Sequence, residues 1–354
     1  YIANDKVEYS NTLYKNNGDG TFLDVSSISG TDISIDAMSV TISDYNNDGW
    51  MDIYVTNDVP GNVFLKNNGD GTFTNVAAQT DTTFNSVAWG AVFLDADNDA
   101  DLDLYVSGEH DGTVSGYLSS AFYINNNDGT FNLNNSAIPN DFAISYSNAI
   151  GDTDNDGYPE IAVNNINHSN INLWKNNTNT SNNWLKVKLE GTQSNKNGIG
   201  SIIEISLEGE TQYRYTLCGE GYLSQNSATE FFGIGTRTTI DYVNVKWLSG
   251  VEDIIYNVSV NQLLNITEGE TLSTNESKLN SINLYPNPVL DNLYIESTNL
   301  INRILIHDIY GKVVLTHVPN QLFTILNTES LSHGVYFVDI SGENTRKVIK
   351  IIKQ

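Results

Sequence analysis

Apolar residues along this chain come in short bursts, not at helical intervals. The segments IYVTN (from Ile53), LYVSG (from Leu104) and IAVNN (from Ile161) are rich in β-branched and aromatic residues, and each follows an acidic stretch. That pattern predicts strands leaving polar loops. Further on, WLKVKLEG alternates Leu185, Val187 and Leu189 with charged positions, and IIEISLEG and DYVNVKWLSG repeat the alternation. These read as half-buried antiparallel strands. Between the first strands lie YKNNGDGTF from Tyr14, LKNNGDGTF from Leu65, YINNNDGTF from Tyr123 and a degenerate LWKNN from Leu173. Asn-Gly and Asp-Gly adopt positive φ at little cost, so these are predicted hairpin turns, and their aspartates are turn formers.

The acidic stretches are DYNNDGWMD (Asp44 to Asp52), DADNDADLD (Asp95 to Asp103) and DTDNDGYPE (Asp152 to Glu160). Oxygen ligands at alternate positions of a tight loop can converge on one point, and calcium takes six to eight oxygens. Positions one, three, five and nine are Asp44, Asn46, Asp48 and Asp52 in the first loop. They are Asp95, Asp97, Asp99 and Asp103 in the second, and Asp152, Asp154, Asp156 and Glu160 in the third. Trp50 supplies the position-seven ligand through its carbonyl, and Asp101 and Tyr158 hold the same position. Gly49 and Gly157 permit the sharp turn, whereas Ala100 predicts a strained or differently shaped second loop. An EF-hand requires a bidentate Glu at position twelve and flanking helices; here position twelve is Val55, Val106 and Val163, and strands follow.

Loop starts recur at intervals of 51 and then 57 residues, from 44 to 95 to 152, a spacing typical of repeat architectures. A unit of about four short strands per interval suggests propeller blades. These residues resemble the calcium-binding repeats of integrin α-subunit propellers and related bacterial surface repeats, the FG-GAP or VCBS repeats, over residues 1 to 183. The resemblance implies a partial β-propeller of about three and a half blades with Ca2+ in its loops. YIANDKVEY at Tyr1 corresponds to YVTNDVPGN at Tyr54, so the chain is expected to begin inside a blade and the natural polypeptide to extend upstream.

The phrases NKNGIGSIIEI (from Asn195), GEGYLSQNS (from Gly219), FFGIG (from Phe231) and VKWLSG (from Val245) resemble the ASPIC/UnbV domain. This implies a second small β domain over 184 to 268, with Leu248 where the family usually has proline. Gly219, Gly221, Gly233 and Gly235 are read as turns or bulges in preference to a ligand site. Residues 269 to 282 lack periodicity and read as a linker. The Tyr285-Pro286-Asn287-Pro288 opening, the Asp308 to Gly311 turn, Gly334-Val335-Tyr336 and the basic tail Arg346, Lys347, Lys350 and Lys353 resemble the type A C-terminal sorting domain of the type IX secretion system. Over 283 to 354 this implies an immunoglobulin-like β-sandwich, export across the outer membrane of Bacteroidota-type bacteria, and the secretion machinery as partner.

The formal charge of −26 disfavours nucleic acid, whose phosphates attract basic patches. Residues 283 to 354 hold as many basic as acidic side chains, so the excess lies upstream. Cys218 is the single cysteine, which precludes an internal disulfide, and no apolar run is long enough for a transmembrane helix. His110, His168, His307, His317 and His333 occur singly, and Ser224 and Ser249 lack a nucleophile-elbow context. The expectation is a non-enzymatic, secreted or surface-displayed calcium-binding protein that recognises an extracellular glycan or protein. The alternative is an accessory part of a secreted enzyme whose catalytic residues lie upstream.

Overall fold

A computed structural model describes residues 1–166, 169–270, 282–342 and 345–354. His168 and most of the expected linker fall outside the described residues, as does the side chain of Arg346. The chain divides into two compact units, Tyr1–Glu270 and Thr271–Gln354. Both are built of strands, with one four-residue helix, Ser26–Ser29, among the described residues.

The first unit opens with a succession of antiparallel sheets. Strands β1 (Tyr14–Asn16) and β2 (Phe22–Asp24) form a hairpin, followed by a four-stranded sheet of β3 (Val40–Ser43), β4 (Asp52–Val55), β5 (Val63–Asn67) and β6 (Phe73–Asn75). A second four-stranded sheet holds β7 (Ala88–Leu94), β8 (Asp103–Gly108), β9 (Ser120–Asn125) and β10 (Phe131–Leu133). The next has three strands, β11 (Ser145–Gly151), β12 (Glu160–Asn165) and β13 (Asn172–Trp174). Each sheet runs in sequence order, so each is an up-and-down meander.

Neighbouring sheets meet through their first strands, which makes the arrangement propeller-like. The hydroxyls of Ser39, just before β3, and Thr41 on β3 donate to the carbonyls of Trp89 and Ala91 on β7, each at 2.8 Å. Asn148 on β11 donates to the Ser107 hydroxyl at 3.0 Å. Gly90 fits this seam because an added Cβ would lie 3.0 Å from Asn148 Nδ2 and Tyr146 O. Between the four-stranded sheets, the rings of Tyr45, Tyr54, Phe64, Phe93 and Phe131 form one buried cluster.

The hairpin turns have the predicted chemistry. Gly18, Gly20, Gly69, Gly71, Asn127 and Gly129 all have positive φ. The carboxylates of Asp19, Asp70 and Asp128 each accept the N–H and hydroxyl of the threonine two residues on. Those exposed hydrogen bonds hold all three carboxylates below the usual range, the threonine hydroxyl being the largest cause.

The rest of the first unit packs two sheets over a common core. One contains β14 (Asn183–Glu190) between β17 (Glu230–Gly235) and β20 (Gln262–Thr267). The other orders β16 (Glu210–Tyr215), β15 (Ile202–Leu207), β18 (Thr239–Lys246) and β19 (Glu252–Ser259). Leu185, Val187, Ile203, Ile205, Phe232 and Val243 meet between them, all almost fully buried. Two expectations are corrected here. Strand β14 pairs parallel with β20, which is possible because the intervening chain supplies the long crossover that parallel pairing needs. Lys186, expected on a solvated face, is buried.

In the second unit the 16-residue strand β22 (Asn292–His307) pairs along its first half with β21 (Asn283–Tyr285) and β24 (Gln321–Asn327). Its second half pairs with β23 (Val313–His317) and β25 (Gly334–Gly342), and β25 carries β26 (Thr345–Lys353). The alternate residues Leu293, Ile295, Ile304, Ile306, Val338 and Ile340 form the core.

Candidate cation loops at the module seam

In each acidic loop the position-one carboxylate closes the turn. Asp44 accepts the N–H of Asp48 and of Gly49, at 3.0 and 2.9 Å. Asp95 accepts those of Asp99 and Ala100, at 3.1 and 2.9 Å, and Asp152 accepts that of Gly157 at 2.9 Å. Position six adopts the same left-handed conformation throughout, with φ of 85° at Gly49, 85° at Ala100 and 92° at Gly157. Ala100 therefore keeps the shape and carries the strain, a conformation that costs an L-residue about 1–2 kcal/mol.

The carboxylates at positions one, three and five converge. Oxygens of Asp95, Asp97 and Asp99 lie within 4.8 Å of one another, as do those of Asp152, Asp154 and Asp156. In the first loop Asn46 replaces one of the three acids, and its amide donates to Asp48 at 2.9 Å. Position nine, at the start of the next strand, folds back under the loop. Asp52 accepts from Tyr45 and Asn67, Asp103 from Ala96 and Asn125, and Glu160 from Thr153. At position seven, Trp50 is half exposed, Asp101 is buried, and the Tyr158 hydroxyl meets Thr180 at 3.0 Å.

The charge balance differs among the loops. The second holds five aspartates, and among the described residues no lysine or arginine lies within salt-bridge distance of any of them. Burial, reinforced by the neighbouring carboxylates, pushes Asp101 up to about 8 and holds Asp95 and Asp103 well above the ordinary range. Burial likewise raises Asp44, and brings Asp52 to about 7. The third loop is different, because Lys186 donates to Asp152 at 2.6 Å in a buried pair and Lys175 to Asp154 at 2.7 Å at the surface. The Lys175 hydrogen bond lowers Asp154. Two oxygens of that loop, Asp152 Oδ1 and Glu160 Oε1, remain buried without a hydrogen-bond partner. These donor sets fit a hard, oxygen-seeking dication: three converging carboxylates in each of two loops, and open carboxylate oxygens in the third.

Glu268 provides an internal contrast. Its carboxylate accepts the N–H groups of Thr192, Gln193 and Ser194 and the hydroxyls of Ser194 and Ser249. Against desolvation, which raises it, those donors bring the group down to about 2. Enough protein donors stabilise a buried carboxylate as the anion; for Asp95, Asp101 and Asp103 of the second loop burial outweighs the donors they have.

Asparagines stitch the loops in series, a role the sequence did not reveal. Position four of one loop donates to the position-six carbonyl of the next: Asn47 to Ala100 at 3.1 Å and Asn98 to Gly157 at 3.2 Å. The last in the series, Asn155, accepts from Lys186. The first asparagine of a hairpin bridges two loops as well. Asn125 donates to the carbonyls of Tyr45 and Leu102, and Asn176 to those of Ala96 and Pro159. Their recurrence at fixed offsets was the available signal, but it read only as turn chemistry.

The second module closes over these loops. Gly233 on β17 lies so close to the second loop that an added Cβ would sit 1.9 Å from Asp95 Oδ2, and the N–H of Gly235 donates to Asn98 O at 2.8 Å. Gly157 is pressed against the Trp184 ring in the same way. The glycines of FFGIG thus serve close approach to an acidic loop of this chain. Arg214, from β16, is held by the carbonyls of Phe231 and Tyr213 and stacks on Phe232. It shares a cavity of about 60 Å3 with Asp44, Asp95, Glu220 and Glu230. The GEGYLSQNS segment docks on the first strands, with Tyr222 against Trp89 at 4.8 Å and Ser227 N–H on Ile150 O at 3.0 Å.

Comparison with known proteins agrees with this division. Residues 1–55 and 44–106 match the FG-GAP-like repeat, residues 191–273 match ASPIC and UnbV, and residues 283–354 match the secretion system C-terminal sorting domain. The third acidic loop lies beyond the matched repeats. A 105-residue stretch is 33% identical to cartilage acidic protein 1 of Xenopus tropicalis, covering 28% of this chain and 16% of that protein's length. Among solved structures, PorZ, a surface component of the type-IX secretion system of Porphyromonas gingivalis, aligns at 11% identity and a TM-score of 0.27, over 98% of this chain and 56% of that one. The Bacillus anthracis TIE protein aligns at 12% and 0.17, over 74% and 44%. The all-β chain thus carries segments that match FG-GAP-like repeats, ASPIC and UnbV, and a secretion system C-terminal sorting domain, and it spans less than two thirds of the length of the relatives reported. That last domain points to the type IX machinery and to a secreted or outer-membrane-surface location. No helix among the described residues is long and apolar enough to cross a membrane.

Proposed function

We propose that this is a calcium-stabilised recognition protein, exported by the type IX system of a Bacteroidota-type bacterium, that binds an extracellular glycan or protein. The observation that carries the calcium reading is the second loop, where Asp95, Asp97 and Asp99 converge without a protein ammonium. Calcium at positions one, three and five of the loops offsets charge that burial makes costly. Because the loops lie against β17 and Trp184, the ion braces the seam between repeats and second module. The terminal domain is read as the immunoglobulin-like sandwich that the secretion machinery recognises. Recognition is favoured over catalysis because the hydroxyls of Ser224 and Ser249 are engaged with Glu220 O and Glu268.

The test is atomic emission for calcium in the purified protein, followed by glycan and matrix-protein arrays with and without chelator. Bound calcium together with chelator-sensitive binding is expected. A calcium-free protein whose melting temperature ignores EDTA would refute the metal, and blank arrays in both states would count against recognition of those ligand classes.

A further inference from the structure

The sheets repeat, but their filling does not. Opposite Asn67 on β5 stands Phe73, and opposite Asn125 on β9 stands Phe131. Each belongs to the strand that follows a DGTF turn, and each plugs a gap: Phe73 packs against the cluster of Ile53, Val55 and Leu65, and Phe131 against Tyr45 and Phe64. The third repeat lacks this strand. By register Trp174, paired with Ile161, is the counterpart of Tyr123 paired with Leu104. Asn176 then corresponds to Asn125, but the chain continues as NTNTSNN with no aromatic residue and no fourth strand. Tyr45, whose ring meets Phe131 at 5.9 Å, has Ala96 as its counterpart one repeat later. Two rings are thus absent from the same place.

A cavity of about 440 Å3 lies there, lined by Leu94, Ala96, Phe122, Ile138, Ile161 and Trp174. The Trp174 indole N–H is buried without an acceptor. Beside the cavity, the outer edge of β13 is unpaired among the described strands, and Ile171 and Leu173 are 68% and 56% exposed. Phe64 and Phe122, the counterparts of Leu173, are buried.

We propose that this cavity is a binding site for the aromatic side chain of an extended peptide, whose strand adds to the edge of β13 as β10 adds to β9. The chain's own repeats define the occupant, because a ring plus a short antiparallel strand fills each equivalent gap. Strand addition satisfies the edge N–H and C=O groups, and the pocket selects the side chain. An acceptor on the ring or backbone of the peptide takes the Trp174 N–H. The lining carries Asp97, Asp103 and Lys175, charges of both signs, so the pocket selects the ring and the extended backbone and not a charge. The inference deepens the recognition reading by naming a peptide class.

The probe is the acetylated, amidated peptide of residues 129–135, GTFNLNN, which is neutral and carries the plug. It is titrated into the full chain with calcium present, following the Trp174 indole N–H resonance, assigned with Trp174→Phe. A saturable shift is expected, with slowed amide exchange within Asn172–Trp174. Affinity should fall at least tenfold for the peptide with Phe131→Ala, and again for the cavity-filling protein variant Ala137→Phe. The peptide substitution leaves the protein untouched, so a folding defect cannot mimic it. Absence of a saturable shift, equal binding of the alanine peptide, or saturation by benzyl alcohol at the same concentration would overturn the assignment. Positive arrays with a silent peptide would reject this pocket alone, whereas peptide binding with blank arrays would reject only the ligands on the array.

Discussion

The second and third acidic loops share a backbone and differ in how their charge is balanced. Both place three carboxylates within 4.8 Å and both turn on a left-handed sixth residue. In the third, two lysines from neighbouring segments stand against Asp152 and Asp154, while Arg214 faces Asp95 of the second only at longer range. The same motif is therefore paired with protein cations in one place and left without them in another. Under the proposed calcium reading, the motif sets the ligand geometry and its surroundings set how much the ion stabilises it.

That contrast can be broken most forcefully at Lys186. Lys186→Met leaves Asp152 buried and unpaired, and removing one partner of a buried pair costs roughly 3–5 kcal/mol. The loss should show as a lowered melting temperature in chelator and shrink when calcium is restored, and a loss indifferent to calcium would mean the third loop does not accept the ion. Next in size is chelation of the unaltered protein. Each independent site should lose roughly 2.7 kcal/mol on going from a hundredfold excess of calcium over Kd to none. Calorimetry of Asp97→Ala and Asp154→Ala should assign more of that loss to the second loop; equal shares would erase the distinction.

Smaller effects sharpen the comparison. Ala100→Gly should raise stability by about 1 kcal/mol by relieving the left-handed strain, and Gly49→Ala should lower it by a similar amount. Denaturant unfolding of both variants checks the pair, and a destabilised Ala100→Gly would show that the alanine methyl contributes packing. The smallest effect, limited by water reaching the loop rims, concerns pH. Asp52 and Asp101 titrate in the folded chelated protein at about 7 and about 8, above their unfolded value of 3.8. Their contribution is fully present below that unfolded value and is lost as pH rises through 7 and 8, so the chelated protein should melt lower at pH 8.5 than at pH 5.5. Calcium should weaken or reverse that slope, because it stabilises the same carboxylates as anions.

Much of this was legible from residue order. Strand character, hairpin turns and loop periodicity depend on neighbours in sequence, and Asp19, Asp70 and Asp128 do cap their turns as read. The misreadings involved long-range partners. Lys186 looked like a solvated position because alternation gives the face of a strand but not what packs on it. Gly233 and Gly235 do flank a bulge against Asn183 and Trp184, as read, but their close approach to the second loop was hidden because that loop is more than 130 residues earlier in the chain. The parallel pairing of β14 with β20 was hidden because alternation is the same in either direction.

By itself, the sequence determined the all-β character, the family resemblances and the spacing of the acidic residues in the loops, since each rests on local spacing and side-chain type. Tertiary structure alone decided where those acidic residues stand. It put Lys186 on one loop and the backbone of Gly233 on another, and it left a ring-sized gap beside Trp174. Burial and charge compensation arise from residues brought together by folding, and no local pattern records them.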